Sequence, residues 1–151
     1  MFKKEANVPK LIIVILLSLV CQSSAEGEDI HIMVADLIPY LAQVESNHNP
    51  MAVGDSGNAL GVLQIWDVVV QDVNRVSGSS YVHTDAYDVQ TAQYMCVVYL
   101  THYGKHYERT TGRPCTYEVL ARMWNGGPKG YTKEATDKYW DKVLRAIRSD
   151  A

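Results

Sequence analysis

Glu45 follows Leu41, Ala42 and Val44 and directly precedes Asn47-His48-Asn49-Pro50 and a stretch carrying Gly54, Gly57 and Gly61. A carboxyl at the end of an apolar helix, beside a glycine-rich loop, is placed at the floor of a cleft. Apolar surroundings there raise its pKa until it keeps a proton near neutral pH. A general acid needs that proton, to hand to a leaving oxygen such as that of a glycosidic bond. The competing reading is a solvated helix-end glutamate, the ordinary fate of this residue type. Asp55, ten positions on, is a second carboxylate. It fits either a group that positions water or the turn residue of Asp55-Ser56-Gly57. His48, His83, His102 and His106 are candidate metal ligands by residue type. His102 and His106 are four apart on a helix, but no Glu follows His102 as in H-E-x-x-H and no third ligand is evident. We therefore expect no metal and no cofactor. The sequence holds no phosphate loop and no nucleophile elbow, and Gly126-Gly127 reads as a turn.

The elements that must position these groups read as a row of helices. Ile30, Val34, Leu37, Ile38, Leu41 and Val44 recur at three- and four-residue steps. Pro39 sits inside that pattern and predicts a kink or a fresh start capped by Asp36. The segment should end at Glu45-Ser46. Residues 50–61, with Pro50 and three glycines, predict a loop or short hairpin. Helices are expected from Asp67 to before Gly78, and from near Asp88 with Val89, Ala92, Cys96, Tyr99 and Tyr103 on one face. Another should run from an N-cap at Thr116 to Trp124, followed by a turn at Asn125-Gly126-Gly127-Pro128. The last should cover roughly 133–147, burying Trp140, Val143, Leu144 and Ile147.

The first 25 residues read as a secretory signal peptide. Lys3, Lys4 and Lys10 form a positive region, Leu11 to Val20 is apolar apart from Ser18, and Ser23 and Ala25 supply the small residues of a cleavage site. The apolar run is about half the ~20 residues that span a bilayer. The rival is an uncleaved anchor. A lipoprotein site at Cys21 fits poorly, because Ser18 and Val20 depart from the usual Leu-x-small-Cys pattern. Cleavage leaves residues 26–151 as one domain, exported to the periplasm or secreted. It holds 11 basic against 16 acidic side chains. That acidic balance argues against nucleic acid, which requires a basic stripe. Cys96 and Cys115 remain, as one disulfide or as two reduced, buried thiols. Ten tyrosines against one phenylalanine suit a sugar-holding groove, and equally the boundary of a helical core.

Val44-Glu45-Ser46-Asn47-His48-Asn49-Pro50-Met51-Ala52 resembles the E-S-x-x-N-P-x-A opening of the soluble lytic transglycosylase (SLT) catalytic domain. Gly61-Val62-Leu63-Gln64-Ile65 resembles the G-L-M-Q that follows. Leu120-Ala121-Arg122-Met123-Trp124-Asn125-Gly126-Gly127-Pro128 is similar to its L-A-x-Y-N-A-G-P. Thr136, Tyr139, Lys142 and Val143 match its closing E-T-x-x-Y-x-x-K-V. The stretch Gly54-Asp55-Ser56-Gly57-Asn58-Ala59-Leu60-Gly61 is also similar to the G-D-x-G-N-x-x-G of goose-type lysozymes. Trp124 to Gly130, with Tyr139-Trp140, resembles the N-G-G-P-x-G and Y-W of invertebrate-type lysozymes. All three groups lie in the lysozyme-like superfamily.

The resemblance implies a mainly α, lysozyme-like (goose-type/SLT) single domain with a substrate cleft. It implies cleavage of the β-1,4 bond between N-acetylmuramic acid and N-acetylglucosamine in peptidoglycan, with no cofactor; we expect a monomer. Glu45 would be the general acid. Gln64 and the backbone at Gly61 would line the cleft, with Asn125 on the far wall. Tyr139 would pack near or bond to the Glu45 carboxyl, its alternative being a core aromatic. Ser46 would close the helix end. Three departures separate the chain from the transglycosylase pattern: Gly54 stands where a Ser is usual nine residues after the Glu, the loop is one residue longer, and Trp124 replaces a Tyr. A transglycosylase needs one carboxyl, because the sugar's own 6-hydroxyl attacks. An inverting hydrolase needs a second for water, and Asp55 aligns with an acidic position of goose-type lysozymes. Hydrolysis and transglycosylation both stay open at this point. So do a wall-binding module without catalysis and an accessory wall-opening part of a secretion or conjugation machine.

Overall fold

The computed structural model describes residues 25–150. The expected leader, and Cys21 with it, lies outside the described residues except for its last position. Five helices carry the fold: α1 (Ala25–Ser46), α2 (Asp67–Ser77), α3 (Val89–Thr111), α4 (Tyr117–Gly126) and α5 (Asp137–Ser149). The long helices α1 and α3 pack against each other. Helices α4 and α5 pack on α1, and α2 packs on α3. The core is built from Val34, Leu37 and Leu41 of α1, Met95, Cys96 and Leu100 of α3, Leu120 and Met123 of α4, and Val143 of α5, all buried. Gly104 marks a close approach between helices: a Cβ there would lie 3.1 Å from Ile30 and 3.3 Å from Leu120.

Helix α1 runs without interruption through Pro39, so the fresh start expected near Asp36 is corrected. Pro39 and Ala35 both lie on the exposed face, where water can satisfy the Ala35 carbonyl that the proline leaves without a donor. Caps define α3 and α4. Asp88 accepts the Thr91 amide and Thr116 accepts the Val119 amide. The buried stripe of α3 is broader than expected. It runs through Ala92, Met95, Cys96, Tyr99, Leu100, Gly104 and Tyr107, while Val89 is exposed. Helix α4 continues through Asn125 to Gly126, and the turn begins at Gly127 with φ +81°.

The last helix begins at Asp137, four residues later than expected, after short 3-10 turns at Gly130–Thr132 and Glu134–Thr136. A polar clamp holds these turns. The Arg122 guanidinium donates to Thr136 Oγ1 (3.0 Å), Glu118 (2.9 Å) and the Lys133 carbonyl (3.0 Å), and pairs with Asp137 at 2.6 Å. The Thr136 hydroxyl donates to the Gly130 carbonyl at 2.8 Å. Helix α5 buries Tyr139, Val143 and Ala146. Trp140, Leu144 and Ile147, expected inside, are half-buried at its flanks.

Residues 50–66 fold as a small antiparallel sheet: β1 (Val53–Gly54), β2 (Ala59–Leu60) and β3 (Ile65–Trp66), in that order. The expected hairpin is β1–β2, closed by a 3-10 turn at Asp55–Gly57, and β3 extends it by one strand. Gly61 lets the sheet close on the rest of the protein. It lies at φ +75°, and a Cβ there would overlap the Ala86 carbonyl oxygen.

Candidate active site

Glu45 occupies the last turn of α1. The helix ends because Asn47 and His48 turn left-handed, at φ +52° and +61°. Their amides bond back to the carbonyls of Gln43 and Ala42. Ser46 fastens this end to the sheet lobe: its hydroxyl donates to the Val62 carbonyl at 2.8 Å. One residue thus fixes where Glu45 faces the β2–β3 connection.

Glu45 opens onto a cleft of about 360 Å³, lined also by Asp55, Gln64, Ile65, Trp66, Val69, Trp124 and Asn125. Five elements meet there: the end of α1, the Asp55 turn, β3, the start of α2 and the end of α4. Tyr139 reaches in from α5, 94 positions away, and its hydroxyl donates to Glu45 Oε1 at 2.7 Å. Burial pushes the Glu45 carboxyl up to about 7 from its ordinary 4.5, and the Asp55 charge adds to the rise. The Tyr139 hydrogen bond and the Lys142 charge work against it, since both favour the ionised form. The outcome is a carboxyl that loads and releases its proton around neutral pH, as a general acid must.

Asp55 is exposed on the opposite lip. Its turn is closed by its backbone carbonyl, which accepts the Asn58 amide (3.2 Å) and side-chain amide (2.9 Å). Among the described residues its carboxylate takes part in no hydrogen bond, so it stands free toward the cleft. Gln64 is pinned: Nε2 donates to the Gly61 carbonyl at 2.9 Å, and its backbone is left-handed at φ +50°. On the far wall Trp124 packs edge-on against Tyr99, with ring centroids 5.9 Å apart, and Tyr99 packs likewise against Tyr103 at 4.8 Å.

The structure therefore brings Glu45, Asp55, Gln64 and Asn125 to one cleft, with Tyr139 beneath it. Trp66 and Val69 went unremarked in the sequence. Trp66 is 44% exposed at the end of β3. An exposed Trp just beyond Gln64-Ile65 was the available signal, because a large apolar ring left in water often marks a contact surface. Among the described residues no group of three or more His, Cys, Asp and Glu could hold a metal ion. His83 serves the sheet instead, bonding the Ile65 carbonyl at 2.7 Å.

The model of the transglycosylase SLT domain matches residues 24–141. The chain belongs to the transglycosylase SLT domain family. Every residue of the SLT cleft named above falls inside that span. A lysozyme of Magallana gigas is 44% identical over 41 residues, 27% of this chain and 30% of that protein. The chain thus spans under a third of that relative's length. A chain in the crystal structure of Aeromonas hydrophila PliI in complex with Meretrix lusoria lysozyme superposes with a TM-score of 0.55 at 28% identity. The match covers 72% of this SLT chain and 86% of that one.

Proposed function

We propose that this SLT domain hydrolyses the β-1,4 bond between N-acetylmuramic acid and N-acetylglucosamine in peptidoglycan. Glu45 is the general acid and Asp55 holds the attacking water. One observation carries the reading. A carboxyl raised to about 7 and a free carboxylate share one cleft, and the second raises the proton affinity of the first. Two carboxyls facing one cleft can divide the work of acid and base.

Glu45 gives its proton to the glycosidic oxygen as the bond from that oxygen to the anomeric carbon breaks. Water attacks the anomeric carbon and yields a proton to Asp55, and exchange with solvent resets both groups. Trp66 and Trp124 offer ring faces for the sugars, and Asn125 and the Gln64 carboxamide offer hydrogen bonds to their acetamido and hydroxyl groups. Tyr139 orients the acid. The enzyme acts as an exported monomer, in keeping with the leader expected at its N-terminus. A transglycosylase would need Glu45 alone, and the SLT family match favours that second reading.

Digestion of purified peptidoglycan with mass analysis of the products separates the readings. Reducing ends support hydrolysis, and 1,6-anhydro ends overturn it in favour of the sugar's own hydroxyl. No product from wild type would leave only a wall-binding role. Asp55→Asn should cut the rate by about 10²–10⁴ if Asp55 prepares the water, and should cost little under transglycosylation.

A further inference from the structure

Gly54 has no conformational reason to be glycine. Its φ of −121° and ψ of 177° are extended backbone that any residue adopts. Gly57 makes the contrast: it lies at φ +96° with open space around its missing side chain. At Gly54 the reason is a neighbour. A Cβ there would overlap Gln64 Oε1 and lie 3.4 Å from Gln64 Cδ. A glutamine usually escapes such an overlap by swinging away. Gln64 is tethered at its other end, where Nε2 bonds the Gly61 carbonyl at 2.9 Å. Its backbone is held left-handed, a conformation that costs a non-glycine residue of order 1 kcal/mol or more. The carboxamide is thus wedged between Gly61 and Gly54. The residue after Gly54 is Asp55, and both Asp55 and Gln64 face the cleft that holds Glu45.

We propose that Gly54 and Gln64 act as one water-positioning unit. The absent side chain at position 54 seats the Gln64 carboxamide beside Asp55, where it supplies the second hydrogen bond to the attacking water. This rests on the hydrolytic reading above. A water held by Asp55 alone can swing about that one bond. A second contact fixes it, leaving a lone pair aimed at the anomeric carbon. As the water oxygen bonds that carbon, its proton passes to Asp55, the bond to the leaving oxygen breaks, and that oxygen takes the Glu45 proton. A side chain at position 54 drives the carboxamide off its seat and into the water's place.

A double-mutant cycle tests the unit: Gly54→Ala, Gln64→Ala and the pair, each with kcat and KM on purified peptidoglycan, product end groups and a thermal midpoint. Each single change should lower the kcat for reducing ends by about tenfold or more with KM little changed. The pair should be no worse than Gln64→Ala alone. Losses that multiply, or a Gly54→Ala enzyme indistinguishable from wild type, overturn the proposal. If Gly54→Ala folds poorly, recovery of its thermal midpoint on adding Gln64→Ala supports the seat, and no recovery overturns it. The wild-type end groups are read separately. Anhydro ends overturn the hydrolytic reading and with it the water-holding role. Reducing ends with independent losses overturn only the unit.

Discussion

Tyr139→Phe removes one of two influences that hold the Glu45 pKa down, the other being Lys142. The hydroxyl favours the ionised carboxylate, so its loss lets burial raise the pKa further. The alkaline limb of kcat/KM, where the acid loses its proton, should move to higher pH, and a limb that moves lower or stays in place contradicts the assignment. Glu45→Gln should abolish turnover and leave the fold intact. It should also expose the cost of the site. The folded carboxyl titrates near 7 and the unfolded one near 4.5, so between those values the folded state holds a proton that the unfolded state has lost. Wild-type stability therefore falls as pH rises through that window. The glutamine variant escapes the fall: by urea unfolding it should gain up to about 3 kcal/mol over wild type above pH 7, relative to the difference between them below pH 4.5. Glu45, Asp55, Gln64 and Asn125 were legible as candidates because their motifs are local in sequence. The bond between Tyr139 and Glu45 was one of two readings, since helical periodicity on α5 allows a core aromatic equally well. What decides is the docking of α5 on α1, which no local pattern encodes.

At the scale of elements, capping and glycine chemistry drew most boundaries. Asp88, Thr116 and Gly78 sit at the helix ends where their side chains or backbone freedom satisfy the terminal amides and carbonyls. The misses share a cause: tertiary surroundings outweighed the local signal. Pro39 is absorbed because it faces water. The segment before α5 stays in 3-10 turns because Thr136 and the Arg122 guanidinium claim its polar groups before an α-helix can start. Strand β3 is two residues long and gave no alternating pattern to read. The Arg122 clamp also holds the approach to α5 on which Tyr139 rides. Arg122→Met keeps much of the aliphatic bulk and removes four polar contacts, three of them to the 133–137 segment. The change should lower unfolding free energy by about 2–4 kcal/mol, in the range expected when one partner of a part-buried ionic network is lost. It should also reduce kcat through looser placement of Tyr139. A variant with unchanged denaturant midpoint would show that the clamp does not hold α5.

For the whole molecule, Cys96 and Cys115 are both buried and free, one of the two states left open by their count. Burial pushes the Cys115 thiol up to about 11 and Cys96 higher still. An alkylating reagent near pH 8 should label neither in the native protein and both after unfolding; rapid native labelling would contradict the packing around Gly104. Among the described residues no helix is long and apolar enough to cross a membrane. The backbone shows a further asymmetry. Among the described residues all five non-glycine residues with positive φ, Asn47, His48, Asp55, Ser56 and Gln64, fall in the 47–64 segment between α1 and α2, and the helices carry none. The least comfortable stretch of the chain is therefore also the one that brings Asp55 and Gln64 to the cleft. Such a segment should open on warming while the helices behind it still stand. Heat inactivation and loss of helicity then become separate events, and a glycan strand lying in the cleft braces the weaker of the two. Under the proposed function, the protein is shielded from heat by the very polymer it cleaves.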